Sequence, residues 1–353
     1  MAVERAIQNM DLRLDFLSSS ELCARKRSIL HKNFHPREIR KNAKTLANAR
    51  FVNIVDLYTA GFPCMDYSRA GFRRGAASAR GREGYRAVIK QVEHLRPLKL
   101  LLENVPEFAS SDKGRPFDEL ISALRRLGYT LDWKILNTLH YGTPHSRKRL
   151  FIVGIRGNAH PFDWPDVVPM MPLSMFLKPR TRTDRSTRLP GRTEAAARQK
   201  VIVTLGRCSH LDLENNDYII DIDSSKPGLP KPWCPTQTAG RRYGHWIISR
   251  GRRVAPSEVL KLSNFDADRY IWPSESQLIY KYVGESMTVD LVTRLVQGLL
   301  VWQCCSPTLY TQLDAATTEI DPTSDNSILN SADADAAAAQ DDSSDVISVT
   351  DTE

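Results

Sequence analysis

Apolar runs of strand length alternate with helical segments through the first half of the chain. The pattern predicts strands over 15–18, 51–58, 98–102, 129–136 and 149–154. It predicts helices over 21–34, 85–95 and 117–127, where apolar residues recur at helical spacing. Strands separated by helices of this length are typical of α/β proteins, so we expect a doubly wound, mostly parallel sheet with helices on both faces.

A different composition begins at residue 157. Residues 157–250 are rich in Pro and Arg, with eight basic residues between Lys178 and Lys200, and we interpret them as a smaller inserted module that lies along a phosphate backbone. Helical periodicity then returns, with helices predicted over 256–262 and 289–302 on either side of Tyr282–Met287. The predicted divisions are 1–156, 157–250, 251–305 and 306–353, of which the first and third form one domain.

Charge is unevenly distributed along the chain. All 49 Lys and Arg but only 30 of the 41 Asp and Glu lie in residues 1–305, a balance of +19, while 306–353 carry 11 acidic and no basic side chains. A basic body favours a polyanionic partner, because Lys and Arg that neutralise phosphates release counterions. A solvated surface is the alternative. The acidic tail is rich in Ala, Asp and Ser and is predicted to be disordered.

Several classes of protein are excluded by what the sequence lacks. No apolar run approaches the ~18 residues that cross a bilayer, and no signal peptide is evident, so we expect a soluble intracellular protein without membrane contact. Six cysteines show neither CxxC nor zinc-type spacing, which argues against a disulfide framework and a metal site. The absence of GxGxxG argues against a Rossmann dehydrogenase.

Cys64 is the first candidate for chemistry. It lies in the loop Ala60–Ser68, directly after a predicted strand, where open α/β sheets place their sites. Pro63 fixes the backbone immediately before the sulfur, so we expect the loop to present a reactive thiol. A lone cysteine that serves only for packing is the alternative.

Two further polar groups border predicted strands. They are Glu103-Asn104 and the segment Thr143–Arg149, and we expect both to face the same crevice as Cys64. A thiolate beside a carboxylic acid and arginines suits attack on an electron-poor ring. Nearby arginine is expected to lower the thiol pKa below about 8.5, and a buried Glu103 to donate a proton to a ring nitrogen. The alternatives are a surface or helix-end acid and a solvated strand edge.

These three segments occur in the same order as in the C5-cytosine DNA methyltransferase family. The sequence resembles that family from about residue 14 to residue 303. The resemblance rests on a Pro-Cys loop, a Glu-Asn-Val motif and a Gln-x-Arg-x-Arg motif, with weaker matches towards the C-terminus. The matching segments are Gly61–Ser68, Glu103–Val105, His145–Arg149, Pro235–Thr238, Arg253–Glu258 and Val283–Ser286.

The resemblance implies a function and a set of site residues. Cys64 is expected to add to C6 of a cytosine flipped out of double-stranded DNA, Glu103 to contact N3, and Arg147 to stabilise charge at O2, with Arg149 supporting the loop. Residues 157–250 would read the DNA target, and the loop 69–84 would close over the base. S-adenosylmethionine would donate the methyl group and be held by Glu21, Asn42, Phe62, Pro63, Glu285 and Ser286.

The sequence also departs from the family pattern. The family opens with a glycine-rich cofactor loop, whereas the first glycine here is Gly61, so we expect either an N-terminally incomplete domain or a decayed cofactor pocket. His145 and Met65 stand where the family has glutamine. An inactive DNA-binding protein and an RNA cytosine-5 methyltransferase stay open as alternatives. A nuclear location is predicted, otherwise the cytoplasm or nucleoid, and the oligomeric state is left open.

Overall fold

The computed structural model describes residues 1–64, 66–67, 79–224, 228–240 and 243–305. The predicted tail, 306–353, and most of the predicted lid, 69–84, lie outside these residues. Eight helices are present in the described ranges: α1 Ala2–Asn9, α2 Ala24–Asn33, α3 Ala79–Leu95, α4 Arg115–Arg126, α5 Ala195–Arg207, α6 Pro256–Leu262, α7 Ser276–Glu285 and α8 Val289–Val301.

Nine strands accompany these helices within the same ranges. They are β1 Ser18–Ser20, β2 Glu38–Arg40, β3 Leu57–Gly61, β4 Lys99–Asn104, β5 Tyr129–Asn137, β6 Lys148–Arg156, β7 Ile219–Ile220, β8 Trp246–Ile247 and β9 Arg252–Arg253. The central sheet has the order β3-β4-β6-β5, a second sheet pairs β1 with β2, and a third has the order β7-β8-β9.

Strand direction changes within the central sheet. β3 and β4 run parallel, as does the β1-β2 pair, but β6 runs antiparallel to both β4 and β5. The expected α/β class is confirmed, and the sheet is mixed because the connection 138–147, which begins with a 3-10 turn, returns β5 into β6 without a crossover helix.

Both faces of the central sheet are buried. Alternate residues of β4 point to opposite sides: Leu100 and Leu102 join a cluster with α3 and α4, whereas Leu101 joins a cluster with α1 and α8. This alternation follows from the two-residue period of a strand. Helices therefore cover the sheet on two sides, which is the doubly wound arrangement expected from the sequence.

Several predicted boundaries differ from the structure; β1, for example, lies at Ser18–Ser20 and not at 15–18. The strand before Cys64 begins at Leu57 instead of Phe51, because 49–51 form a 3-10 turn capped by Asn48 and Asn53 adopts a positive φ of 63°. Helix α3 begins six residues before the predicted start, so the end of the predicted lid is helical. The segment predicted between the last two helices falls largely inside α7, and α1 was not predicted.

Part of the predicted inserted module, residues 157–250, which is called the target module after its expected role, has a core of its own. Val201 of α5 packs with residues of β7 and β8, and Asp217 forms an ion pair with Arg250 at 2.5 Å, both side chains being buried. The module's sheet extends to Arg253 through the pairing of β8 with β9. We retain the division of the chain at 157 and 250 as a proposal.

Leu120 provides a test of this packing. It lies in α4, fully buried against the face of the sheet that carries Leu100 and Leu102. We expect Leu120→Ala to lower the free energy of unfolding by about 2–5 kcal/mol, because the change removes apolar contacts and leaves a cavity. The matched control is Leu46→Ala at a position that is 45% exposed, where a change within about 0.5 kcal/mol is expected. Equal losses in chemical denaturation would contradict this packing.

Candidate active site

Two adjacent parallel strands place Cys64 and Glu103 at one edge of the sheet. Gly61 of β3 is in register with Glu103 of β4, and Cys64 follows three residues later. A Cβ at Gly61 would lie 3.1 Å from Oε2 of Glu103. The absence of a side chain at Gly61 therefore lets the Glu103 carboxylate lie across the end of β3, towards the loop that carries the thiol.

The antiparallel strand β6 brings arginine to the same edge. Because β6 begins where β4 ends, Asn104 pairs with Leu150 and Arg149 lies beside the Glu103 carboxylate. Nε of Arg149 is 2.9 Å from Oε1 of Glu103, and the two side chains are 12% and 19% exposed. Both charged groups are therefore partly exposed at this edge of the sheet.

Asn104 holds the thiol loop in place. Its side chain is buried, with Nδ2 donating to the carbonyl oxygen of Phe62 at 3.3 Å and Oδ1 accepting from the amide of Val105 at 2.8 Å. The amide of Tyr67 donates to the carbonyl of Cys64 at 3.0 Å. The sequence motif contained Asn104 but gave it no role, since the hydrogen bond to Phe62 depends on the pairing of β3 with β4.

The pKa of the Cys64 thiol is raised, which corrects the expected lowering. Burial is the largest cause, and the Glu103 carboxylate adds to it, while Arg149 and Arg147 act in the opposite direction. The expected arginines act on the sulfur, but burial of the thiol together with the Glu103 carboxylate outweighs their effect. The resting thiol is therefore protonated at neutral pH.

The pKa of Glu103 is also raised. Burial is the cause, and it is opposed by the guanidinium groups of Arg149 and Arg147 and by the hydrogen bond from Arg149. A raised pKa makes it easier for this carboxyl group to hold a proton when a ligand occupies the pocket.

Arg147 differs from Arg149 in what it contacts. Only 3% of it is exposed, and its two terminal nitrogens donate to the backbone carbonyls of Gln237, at 3.2 Å, and of Gly284, at 3.3 Å. Burial lowers the pKa of Arg147 to about 9, with Arg149 adding to the effect, so its charge is kept at neutral pH. Its contacts with Gln237 and Gly284 link distant parts of the chain and have no signal in the sequence.

His145, at the position of the expected glutamine, is buried. Its pKa is lowered to about 3, chiefly by burial and then by the nearby charge of Arg147, so the ring is neutral. Nε2 accepts a hydrogen bond from the amide of Gln237 at 3.3 Å. A neutral imidazole thus serves as an acceptor for the backbone of the target module.

Residues expected to hold the cofactor lie at strand ends. Glu21 follows β1 and Asn42 follows β2, and the amide of Glu21 donates to the carbonyl of Arg40 at 3.1 Å. Oε1 of Glu21 accepts from the amide of Cys23 at 2.8 Å, and Oδ1 of Asn42 from that of Lys44 at 2.9 Å. These oxygens suit the hydroxyl groups of a ribose.

The other four expected residues have partners within the protein. The ring of Phe62 packs edge-on against Phe108 with centroids 5.0 Å apart, and Pro63 follows it in the loop. Glu285 forms an ion pair with Lys26 of α2, and Oγ of Ser286 donates to the carbonyl of Val283 at 3.0 Å. The donor set of Glu21 and Asn42 fits a nucleoside, whereas no glycine precedes Gly61 in the sequence.

The fold and the site define a class of protein, the S-adenosylmethionine-dependent methyltransferases. A model of the family of C-5 cytosine-specific DNA methylases matches residues 12–300. The chain belongs to this family, which confirms the resemblance, and the family uses S-adenosylmethionine.

Curated relatives agree with this assignment, and a solved structure shares the fold. The chain is similar to Type II methyltransferase M.NgoBI of Neisseria gonorrhoeae, with 30% identity over 69% of this chain and 74% of the relative. It is also similar to M.HaeII of Haemophilus aegyptius, with 26% identity over 70% and 74%. The S. pombe Dnmt2 methyltransferase superposes with a TM-score of 0.57 at 17% identity, covering 85% and 94%, and shares the fold.

Three further expectations concern cellular location, membrane contact and metal binding. The two curated relatives are bacterial, and nothing in the comparisons supports the predicted nuclear location. Among the described helices, none is long and apolar enough to cross a bilayer. The described ranges contain no group of three or more His, Cys, Asp or Glu side chains arranged to bind a metal ion.

The electrostatics of the pocket can be tested through Cys64. Since the Glu103 carboxylate raises the pKa of the thiol, we expect Glu103→Gln to lower it, so that alkylation of Cys64 reaches its half-maximal rate at a lower pH. Peptide mapping after iodoacetamide treatment across a pH series measures this midpoint. The matched control is Glu93→Gln on the exposed side of α3, which should leave the midpoint unchanged. A shift to higher pH in Glu103→Gln would contradict the assignment.

Proposed function

We propose that the protein is a DNA (cytosine-5) methyltransferase that forms a covalent adduct through Cys64. The observation that carries the proposal is the Glu103–Arg149 ion pair at the sheet edge where the Cys64 loop begins. The family assignment and the basic body support a nucleic-acid substrate. Because the reacting carbon is inaccessible in stacked DNA, the cytosine must leave the duplex to reach the pocket.

Cys64 acts as the nucleophile. Its thiolate adds to C6 of the cytosine, which forms an S–C6 bond, breaks the C5–C6 double bond and makes C5 nucleophilic. S-adenosylmethionine, when bound, supplies the methyl group that is transferred to C5. Removal of the C5 proton by solvent and breakage of the S–C6 bond, which releases the Cys64 thiolate, then restore the C5–C6 double bond.

Glu103 donates a proton towards N3, across the ring from C6. In its protonated form it donates towards N3 as electrons move into the ring during the attack at C6. A neutral Glu103 also removes the negative charge that raises the pKa of Cys64. Protonation of Glu103 and ionisation of Cys64 therefore favour each other.

Arg149 is the better candidate for charge stabilisation at O2. It borders the pocket and already pairs with Glu103, whereas both terminal nitrogens of Arg147 are directed to backbone carbonyls. We therefore exchange the roles expected from the sequence: Arg149 contacts the base, and Arg147 does not. Glu21 and Asn42 would hold the ribose and adenine end of the cofactor.

The target module would read the DNA sequence. The eight basic residues between Lys178 and Lys200 lie in this module, and phosphate contacts of this kind position a protein on the duplex. An inactive DNA-binding protein is the second candidate, because the Cys64 thiol is protonated at rest. The two differ in whether a covalent adduct forms.

Covalent capture tests the chemistry. We expect the protein to form a denaturation-resistant adduct with duplex DNA that carries 5-fluorocytosine when S-adenosylmethionine is present, because fluorine at C5 blocks the final elimination. Cys64→Ala should abolish the adduct, as judged by gel shift after denaturation. An adduct that persists in this variant would remove Cys64 as the nucleophile, and DNA binding without any adduct would favour the inactive protein.

Arg149→Gln provides the second arm of the capture experiment. Removing a donor that stabilises developing charge is expected to slow adduct formation by about 10²–10³-fold. Arg126→Gln on the exposed surface of α4 is the matched control and should form the adduct at the unchanged rate. Equal rates in both variants would remove Arg149 from the mechanism.

DNA affinity should depend strongly on salt. If the basic body neutralises phosphates, the logarithm of the association constant falls linearly with the logarithm of salt concentration, with a slope of about −0.9 for each phosphate contacted. Fluorescence anisotropy with a labelled duplex between 50 and 200 mM salt, roughly the range over which such contacts weaken, measures the slope. Salt-independent affinity would contradict phosphate binding.

A further inference from the structure

We propose that Arg147 is a positioning residue that couples the target module to the catalytic pocket. This inference rests on the proposed function. It concerns how DNA held by the target module affects Cys64, Glu103 and Arg149, and it assigns the task to the buried guanidinium of Arg147.

Residues 234–239 of the target module, the coupling segment, lie along the chain that leads into β6. The amide of Ser146 donates to the carbonyl of Cys234 at 2.8 Å, and the amide of Cys234 donates to the carbonyl of Pro144 at 2.8 Å. Oγ1 of Thr236 donates to the carbonyl of Ser146 at 2.6 Å. The coupling segment is thus held along the residues directly before the catalytic Arg149.

On its other side the coupling segment touches α7. A Cβ on Gly284 would lie 2.4 Å from the carbonyl carbon of Thr238 and 2.6 Å from the amide nitrogen of Ala239. Backbone therefore packs directly on backbone, which glycine permits. The next residue, Glu285, pairs with Lys26 of α2, so α7 also contacts the side of the molecule that carries Glu21.

Arg147 connects the coupling segment to α7. One terminal nitrogen donates to Gln237 in the coupling segment and the other to Gly284 in α7. Its own amide is fixed by Oδ1 of Asn137 and Oγ1 of Thr138, both at 3.1 Å. A shift of the coupling segment relative to α7 must therefore move the guanidinium or break one of these bonds.

The position of the Arg147 charge affects Cys64 and Glu103. Arg147 lies close enough to Cys64 and Glu103 to lower the pKa of each. It also lies two residues before Arg149, and alternate residues of an extended chain point to the same side. DNA that holds the coupling segment in one position therefore also fixes the Arg147 charge near the thiol. It fixes the position of Arg149, which contacts the base, in the same way.

Three variants separate coupling from simple packing. Arg147→Lys keeps the positive charge but cannot bond both carbonyls in a planar fork. Gly284→Ala disturbs the same junction from α7 and serves if Arg147→Lys does not fold. The control is Arg156→Lys, at the opposite end of β6, where the arginine bonds Asn53 instead.

Two measurements are made on each variant. Hydrogen exchange of the free protein is measured at the amides of Ser146 and Gln237. We expect exchange to be about tenfold faster or more in Arg147→Lys and Gly284→Ala. Arg147→Lys breaks the paired hydrogen bonds to the two carbonyls, and the added Cβ of Gly284→Ala disturbs the close backbone packing. The second measurement is the rate of adduct formation with 5-fluorocytosine DNA beside the dissociation constant for the same duplex. The adduct rate should fall about tenfold or more, with DNA affinity within about threefold.

The outcomes are distinct. Arg156→Lys should match the unaltered protein in both measurements. Faster exchange with an unchanged adduct rate would refute the coupling, because the junction would then serve packing alone, and unchanged exchange would refute the role of Arg147 in the junction. If the unaltered protein forms no adduct, the proposed function fails and the coupling to catalysis with it, while the exchange measurement still decides whether Arg147 joins the coupling segment to α7.

Discussion

The antiparallel pairing of β4 with β6 is the constraint on which the site depends. A strand that ran parallel to β4 would begin at the far edge of the sheet and carry Arg149 away from Glu103. Because β6 runs in the opposite direction, its first residues meet the last residues of β4, and the two charges come within 2.9 Å. The connection 138–147, which returns β5 into β6 without a crossover helix, produces this direction. The chemistry of the pocket is therefore a consequence of strand order.

The pocket balances opposing charges in a partly buried space. A thiol and a carboxyl group disfavour each other's ionised form, and two guanidinium groups favour both ionised forms. Burial decides the resting state, because desolvation penalises a charge more than a partly screened neighbour stabilises it.

Several elements were predictable because their causes are local. The helix from Pro256 to Leu262 was placed correctly, since proline at its start and the following apolar spacing are local signals. The β3 boundary was misplaced because the apolar run 51–58 reads as a strand, whereas a capped turn and the positive φ of Asn53 interrupt it. The pKa of Cys64 was predicted in the wrong direction, since sequence shows which charges are near but not how deeply they are buried.

The sequence by itself determined the family, the fold class and the identity of the groups in the pocket, because these follow from motif order and hydrophobic period. Only the tertiary structure decided which arginine pairs with Glu103. Arg147 and Arg149 are equivalent in sequence terms, two residues apart on one extended segment. Their different partners, two backbone carbonyls for one and a carboxylate for the other, come from residues far away in the chain. Contacts between distant segments depend on how the sheet, the target module and α7 pack together, and that packing is a property of the whole fold.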